Sequence, residues 1–192
     1  MLHRVAGVDE AGRGCLAGPV VAAAVILPMN FSHPFLRDSK TLSPSQRLCV
    51  FEALLQSDAA IGIGMQGPEA IDKLNILQAT LLAMQEAVES LPTQPGKIRI
   101  DGPAIPPALR SAAEPCIHGD RLFAEIAAAS IVAKVIRDRV MVHLHELYPV
   151  YGWAKNKGYP TPAHRQAIQE FGLSPLHRRS FILEKRADSD LR

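Results

Sequence analysis

A disulfide framework is missing from this sequence. Its three cysteines, Cys15, Cys49 and Cys116, are odd in number and scattered, and no two have the spacing of a metal-binding pair. Such usage favours a reducing compartment, and a cytoplasmic protein is expected. The start of the chain lacks the charged, apolar and small-residue succession of a secretory leader. Long apolar runs are also lacking. The longest, Val20 to Leu27, is far too short to span a bilayer, so no membrane association is expected. Internal repeats and low-complexity linkers are absent. So is a strong charge imbalance: a formal net charge of +2 does not announce a polyanion-binding surface. What is left is ordinary globular material. The 192 residues, 47% hydrophobic and 21% charged, are expected to form one domain with its own core, 1–192, and to act as a monomer.

The pattern along the chain alternates strands and helices. Val5 to Asp9 reads as a short strand, and Pro19 to Leu27, rich in valine, as a second. Ser43-Pro44-Ser45-Gln46 is a capping box with proline at the first helical position, opening a helix to about Gln56. A strand follows in AAIGIGMQ. Asn75 with Gln78 caps a second helix that runs to about Ser90, before Pro92. Lys97 to Asp101 alternates cleanly as a strand, Glu114 to His118 more weakly, and a long helix covers Phe123 to Leu147. Gly152 to Tyr159 is a turn-rich loop, and Thr161-Pro162 opens a shorter helix closed by Gly172. These elements predict an α/β domain with a mixed sheet. A tail, EKRADSDLR, reads as flexible.

Three of the predicted strands end on acids or are followed at once by one: Asp9-Glu10, Asp101, and Asp120 just after the Glu114 to His118 strand. Neighbouring strand ends in a layered α/β fold lie close together and commonly form the site. Carboxylates brought together there repel unless a proton or cations lie between them. Oxygen-only ligands favour hard divalent ions such as Mg²⁺ or Mn²⁺. Two such ions, roughly 3.5–4 Å apart, serve phosphoryl transfer. Each isolated aspartate after a strand is more often a turn former or helix cap, so the adjacent pair Asp9-Glu10 carries the reading.

Gly12-Arg13-Gly14-Cys15-Leu16-Ala17 fits the dinucleotide fingerprint G-x-G-x-x-G/A, with Asp38 at a suitable distance. That fingerprint must open a helix, whereas this loop runs into Gly18-Pro19 and a strand. Close backbone approach to a sugar-phosphate chain, with Arg13 on a phosphate oxygen, is the better use, and a plain hairpin is nearly as good. Ile126 to Asp138 is apolar almost all round, interrupted on one face by Ser130 and Lys134. Lys134 either reaches solvent or meets an anion. From Lys155 to Arg186, seven cations (Lys155, Lys157, Arg165, Arg178, Arg179, Lys185, Arg186) face Glu170 and Glu184, a stretch suited to phosphates or to a solvated surface. Tyr159, in NKGYPTPAH, suits stacking on a base or sugar, or packing on its own domain.

Together these residues resemble ribonuclease HII, the bacterial type 2 ribonuclease H. The matching stretches are GVDEAGRG with LAGPVVAAAVIL, DSKTLS, IDG, GD, IAAASIVAKVIRD, GYPTPAH and HRRSF, in the family's order from Gly7 to Phe181. The resemblance implies a ribonuclease H-like mixed β-sheet flanked by helices, with a C-terminal helical segment from about 143 to 182. It also implies a metal-dependent endonuclease that cuts the RNA of RNA/DNA hybrids. The same enzymes cut 5′ to a single ribonucleotide in duplex DNA, leaving a 3′-hydroxyl and a 5′-phosphate. Asp9, Glu10, Asp101 and Asp120 match the family's catalytic, metal-binding carboxylates, which hold Mn²⁺ or Mg²⁺, two ions when substrate is bound. Gly12, Arg13 and Gly14 match the loop on the ribose 2′-hydroxyl and adjacent phosphate. Tyr159 matches the tyrosine on the sugar at the RNA–DNA junction. Ser39, Lys40, Ser130, Lys134, Thr161 and His164 match positions that touch the nucleic-acid backbone or support the site. Cys15 departs from the family's usual proline, Thr41 from lysine or glutamine, and His118 from a small or basic residue.

Two other function classes fit parts of the sequence. A hybrid-binding protein without catalysis needs the basic surface but not the acids. A small-molecule phosphatase needs the acids but not Arg13, Tyr159 and the basic C-terminal quarter.

Overall fold

The structure, a computed structural model, describes residues 4–36 and 41–181. Its strands are β1 (Val5–Ala11), β2 (Val20–Ile26), β3 (Ala60–Gln66), β4 (Lys97–Asp101) and β5 (Ala113–Cys116), joined in one sheet of order β3-β2-β1-β4-β5. β1, β2 and β3 form an antiparallel meander, while β4 and β5 run parallel to β1. This is the mixed sheet expected from the sequence. β2 is buried at every position, which explains its unbroken apolar run: both faces of a central strand are covered.

The helices are α1 (Pro44–Leu55), α2 (Pro68–Leu74), α3 (Ile76–Glu89), α4 (Gly119–Leu122), α5 (Ala124–Leu147), α6 (Trp153–Asn156) and α7 (Pro162–Phe171). Ser43 caps α1 through the reciprocal bonds of a capping box, and Asn75 caps α3 by accepting from the Gln78 amide. α3 covers one face of the sheet over Ala6, Val8 and Ile100, whereas α5 and α1 cover the other over Ala11, Ala23 and Val25. Among the described residues no helix is long and apolar enough to cross a membrane. α5 is buried from Ile126 to Ala133, as its all-round apolar sequence predicts.

Gly7 fixes how closely α5 approaches β1. A Cβ there would lie 2.2 Å from the Glu125 carbonyl carbon and 2.3 Å from the Ile126 nitrogen, so the helix backbone rests directly on the strand. Beyond α5 the chain builds a smaller aromatic core, with Tyr151, Trp153 and Ala167 buried against Met141 and Ala17. This C-terminal helical region is thereby joined to the loop between β1 and β2.

Candidate active site

The parallel pairing of β1 with β4 and β4 with β5 brings three acidic chain segments to one edge of the sheet. Val8 is in register with Ile100, so Asp9 and Asp101 follow at the same level on adjacent strands. β5 stops at Cys116, because His118 turns into the left-handed region at φ 56° and leads into α4. Asp120 therefore lies in the first turn of α4 and not on a strand end. Its helix is anchored by Asp101, whose Oδ1 accepts from the Gly119 amide at 2.8 Å.

Asp9, Asp101 and Asp120 offer carboxylate oxygens that all lie within 4.8 Å of one another. Glu10 stands outside that trio. Successive side chains of a strand point to opposite faces, so Glu10 leaves β1 on the side opposite Asp9. It still lines the same cleft and pairs with Arg13 at 3.3 Å. Asp9 and Asp120 are each only 4% exposed. Burial, reinforced by the Glu10 and Asp101 charges, pushes Asp9 well above the usual carboxylate range, and bonds from Ser130 and the Glu10 amide offset this only in part. Oxygen ligands, two of them buried and Asp101 partly so, with no histidine or cysteine among them, suit a hard divalent cation, which would relieve their repulsion. The residues present thus fit Mg²⁺ or Mn²⁺.

A cleft of about 430 Å³ opens beside the carboxylates, and Gly12, Arg13, Ser130, Lys134 and Tyr159 line it with Asp9, Glu10 and Asp101. The glycine loop joins β1 to β2 with Gly12 at φ +100°, and no helix follows it, which disposes of a dinucleotide fold. Gly14 is exposed at the loop's tip. Tyr159, 37% exposed, presents its ring toward the cleft, with the Lys134 ammonium 5.2 Å from the ring centroid. Lys134 does meet an anion, though not a carboxylate of the trio: its Nζ bonds Asp138 at 2.8 Å.

The other predicted residues are placed differently. Thr161 caps α7, accepting from the His164 amide at 3.2 Å. His164 is fully buried, not open to a ligand. Its Nδ1 lies 2.9 Å from the Tyr159 carbonyl and acts as donor there, so Nε2 is free to accept from Trp153 Nε1 at 3.0 Å and from His177 Nε2 at 3.1 Å. His177 Nδ1 in turn accepts from the Ser174 amide. Both rings are neutral in this arrangement, and burial lowers both pKa values, that of His177 to about 4. Arg178, counted above among the surface cations, is likewise fully buried. Ser39 and Lys40 lie outside the described residues. Arg47, which no motif singled out, lines both the cleft and an adjoining groove that includes Lys155 and Lys157. Its one signal in the sequence is a cation in the first turn of the helix after DSKTLS.

The family model for Ribonuclease HII matches residues 6–184. The ribonuclease HII of Porphyromonas gingivalis is 51% identical over 178 residues, 93% of this chain and 89% of that protein. Among solved structures, ribonuclease H2 of Pyrococcus horikoshii superposes with a TM-score of 0.76 at 29% identity, covering 92% of this chain and 93% of that one. The ribonuclease HII of Archaeoglobus fulgidus, solved in complex with PCNA, gives 0.70 at 25% identity over 92% and 94%. With a family match across nearly its whole length and the fold to go with it, the chain belongs to the ribonuclease HII family of endoribonucleases.

Proposed function

We propose that this protein hydrolyses the RNA strand of RNA/DNA hybrids and cuts 5′ to single ribonucleotides embedded in duplex DNA, leaving 3′-hydroxyl and 5′-phosphate ends. One observation carries the reading: in the trio Asp9, Asp101 and Asp120 the carboxylates gather within 4.8 Å of one another, and two of them, Asp9 and Asp101, line the same cleft as Gly12, Arg13 and Tyr159. Phosphodiester chemistry and a means of recognising a ribose are side by side.

In this reading Asp9, Asp101 and Asp120, with Glu10 at the margin, hold two Mn²⁺ or Mg²⁺ ions. When bound, such ions supply an activated water and counter-charge for the departing 3′-oxygen. Ser130 orients Asp9. Backbone amides of the Gly12–Gly14 loop approach the ribose 2′-hydroxyl, the group that separates RNA from DNA in the wide minor groove. Arg13, whose side chain is 49% exposed, leaves its weak contact with Glu10 for a phosphate oxygen. The Tyr159 ring takes the neighbouring sugar. Thr161 and His164 support the tyrosine from behind.

The test is a labelled DNA duplex carrying one ribonucleotide, incubated with Mn²⁺ or Mg²⁺, with chelator, and with Asp120→Asn, beside an all-DNA duplex. A metal-dependent nick 5′ to the ribonucleotide, missing from every control, is the expected result. Folded protein that binds the duplex and leaves it intact would point instead to a hybrid-binding module.

A further inference from the structure

Two fully buried arginines lie beneath the recognition loop. Arg137 of α5 spreads its guanidinium over three backbone carbonyls: Nε donates to Pro19 at 2.9 Å, Nη2 to Ala17 at 3.2 Å and Nη1 to Lys157 at 2.9 Å. The first two belong to the loop between β1 and β2, and the third to the segment that carries Tyr159. The same guanidinium lies 5.7 Å from the centroid of the Tyr159 ring. Arg178 approaches from the other side, donating from Nε to Gly18 at 3.0 Å and from Nη1 to Arg13 at 2.8 Å. Its own segment is held by Asp72 of α2, which accepts from the Arg179 and Ser180 amides. Direct backbone bonds complete the seam, Leu16 N to Gly158 O and Arg178 N to Leu16 O, both 2.8 Å.

Neither guanidinium forms an ion pair with a carboxylate among the described residues. A buried charge costs several kcal/mol to desolvate, and apolar residues of similar volume generally fill a core position at least as well. Filling space therefore does not account for two of them here. What an arginine offers instead is a rigid planar fork that bridges several acceptors at once, which a lysine cannot match. Gly12 belongs to the same device. A Cβ at that position would lie 1.9 Å from Arg137 Nε, so the glycine is required by the arginine as well as by its own positive φ.

We infer that Arg137 and Arg178 are specificity-determining positioning residues, which lock the Gly12–Gly14 loop and the Tyr159 segment into one register so that the ribose and the neighbouring sugar are read together. The inference rests on the proposed reaction. Neither arginine touches substrate; each acts through the loop and the tyrosine.

The experiment is a double-mutant cycle on a duplex with one embedded ribonucleotide, using wild type, Arg137→Lys, Tyr159→Ala and the double variant. Near-UV circular dichroism checks folding, and calorimetric Mn²⁺ titration checks the carboxylates. Arg137→Lys is expected to raise KM about tenfold in the wild-type background and less than about twofold beside Tyr159→Ala, with Mn²⁺ binding unchanged. Equal KM effects in both backgrounds would mean a merely structural arginine and would overturn the inference. If Arg137→Lys does not fold, Arg178→Lys takes its place in the cycle with the same expectation. If neither folds, the Hε resonances of both arginines in the wild-type protein give the answer, in chelator. They are expected to shift more with the ribonucleotide duplex than with all-DNA duplex, and equal shifts would overturn the inference. Wild type that nicks nothing would sink the proposed reaction, and this inference with it. Wild type that nicks while the cycle is additive would sink this inference alone.

Discussion

Ionising Asp9 in the metal-free protein puts a charge in a buried spot already bordered by Glu10 and Asp101. Because its folded pKa is raised, the folded state holds a proton that the unfolded chain gives up, and this group's contribution to stability falls as pH rises from the ordinary aspartate range through the raised value. Asp9→Asn is therefore expected to melt higher than wild type in chelator at neutral pH. A gain on the order of 1 kcal/mol corresponds to about 2–4 °C for a chain of this size. Hybrid cleavage is expected to vanish in the same variant, and a lower melting temperature would contradict the charge argument. The histidine pair runs in the opposite sense. His177, lowered to about 4, stays neutral when folded, so its stabilising effect is complete above pH 6.5 and is lost as pH falls from 6.5 toward 4. Thermal melts across that window should show a loss of up to about 3 kcal/mol, with a flatter profile in His177→Gln. The pair Asp9-Glu10 stood out in the sequence because adjacent acids at a strand end have few structural uses. His164 could not be placed, since nothing in GYPTPAH says whether its histidine faces the cleft or the core.

At the level of elements, the contact between β1 and α5 sets the geometry of the site, because Asp9 and Ser130 come from these two pieces. Gly7→Ala forces a methyl group into the backbone of α5. The expected cost is about 1–3 kcal/mol, read as a drop in melting temperature. Cleavage should fall by more than the loss of folded protein explains, since Ser130 moves away from Asp9. Cleavage that simply tracked the folded fraction would show that this spacing does not matter. The longer elements were legible because caps and periodicity agreed: Ser43 with Gln46 for α1, Asn75 with Gln78 for α3, Thr161 and Gly172 for α7. α2, α4 and α6 were not. At seven, four and four residues they are too short for an apolar period to register, and they form because their neighbours hold them. The weak fifth strand was read two residues too far, to His118, whose left-handed backbone only the turn into α4 requires.

For the whole molecule, metal and salt give two separate readings. A cation that binds the folded carboxylate cluster stabilises by mass action, about 2.7 kcal/mol at a free concentration 100 times Kd. Adding Mn²⁺ should therefore raise the melting temperature of wild type, and raise it much less in Asp101→Asn. Arg13, Arg47, Lys155 and Lys157 lie around the cleft and its adjoining groove, so contact with phosphates should dominate binding. KM for a hybrid is expected to climb steeply with salt while kcat changes little. Salt-insensitive hydrolysis of free nucleotides would favour the small-molecule phosphatase instead.

The sequence by itself determined the α/β class, the caps and lengths of the long helices, and the occurrence of acids at the ends of β1 and β4. Those properties are local, carried by period, capping residues and turn formers within a few positions of each other. Only the tertiary structure decided that Asp9, Asp101 and Asp120 meet, since their approach depends on β1 lying between β2 and β4 with β5 beyond, an order that no local pattern encodes. It also decided the fate of the arginines. Arg13 and Arg178 look alike in a list of cations, yet one reaches solvent while the other is enclosed. The difference comes from the C-terminal segment folding back over the loop between β1 and β2, where the carbonyls left without strand partners need donors from elsewhere in the chain.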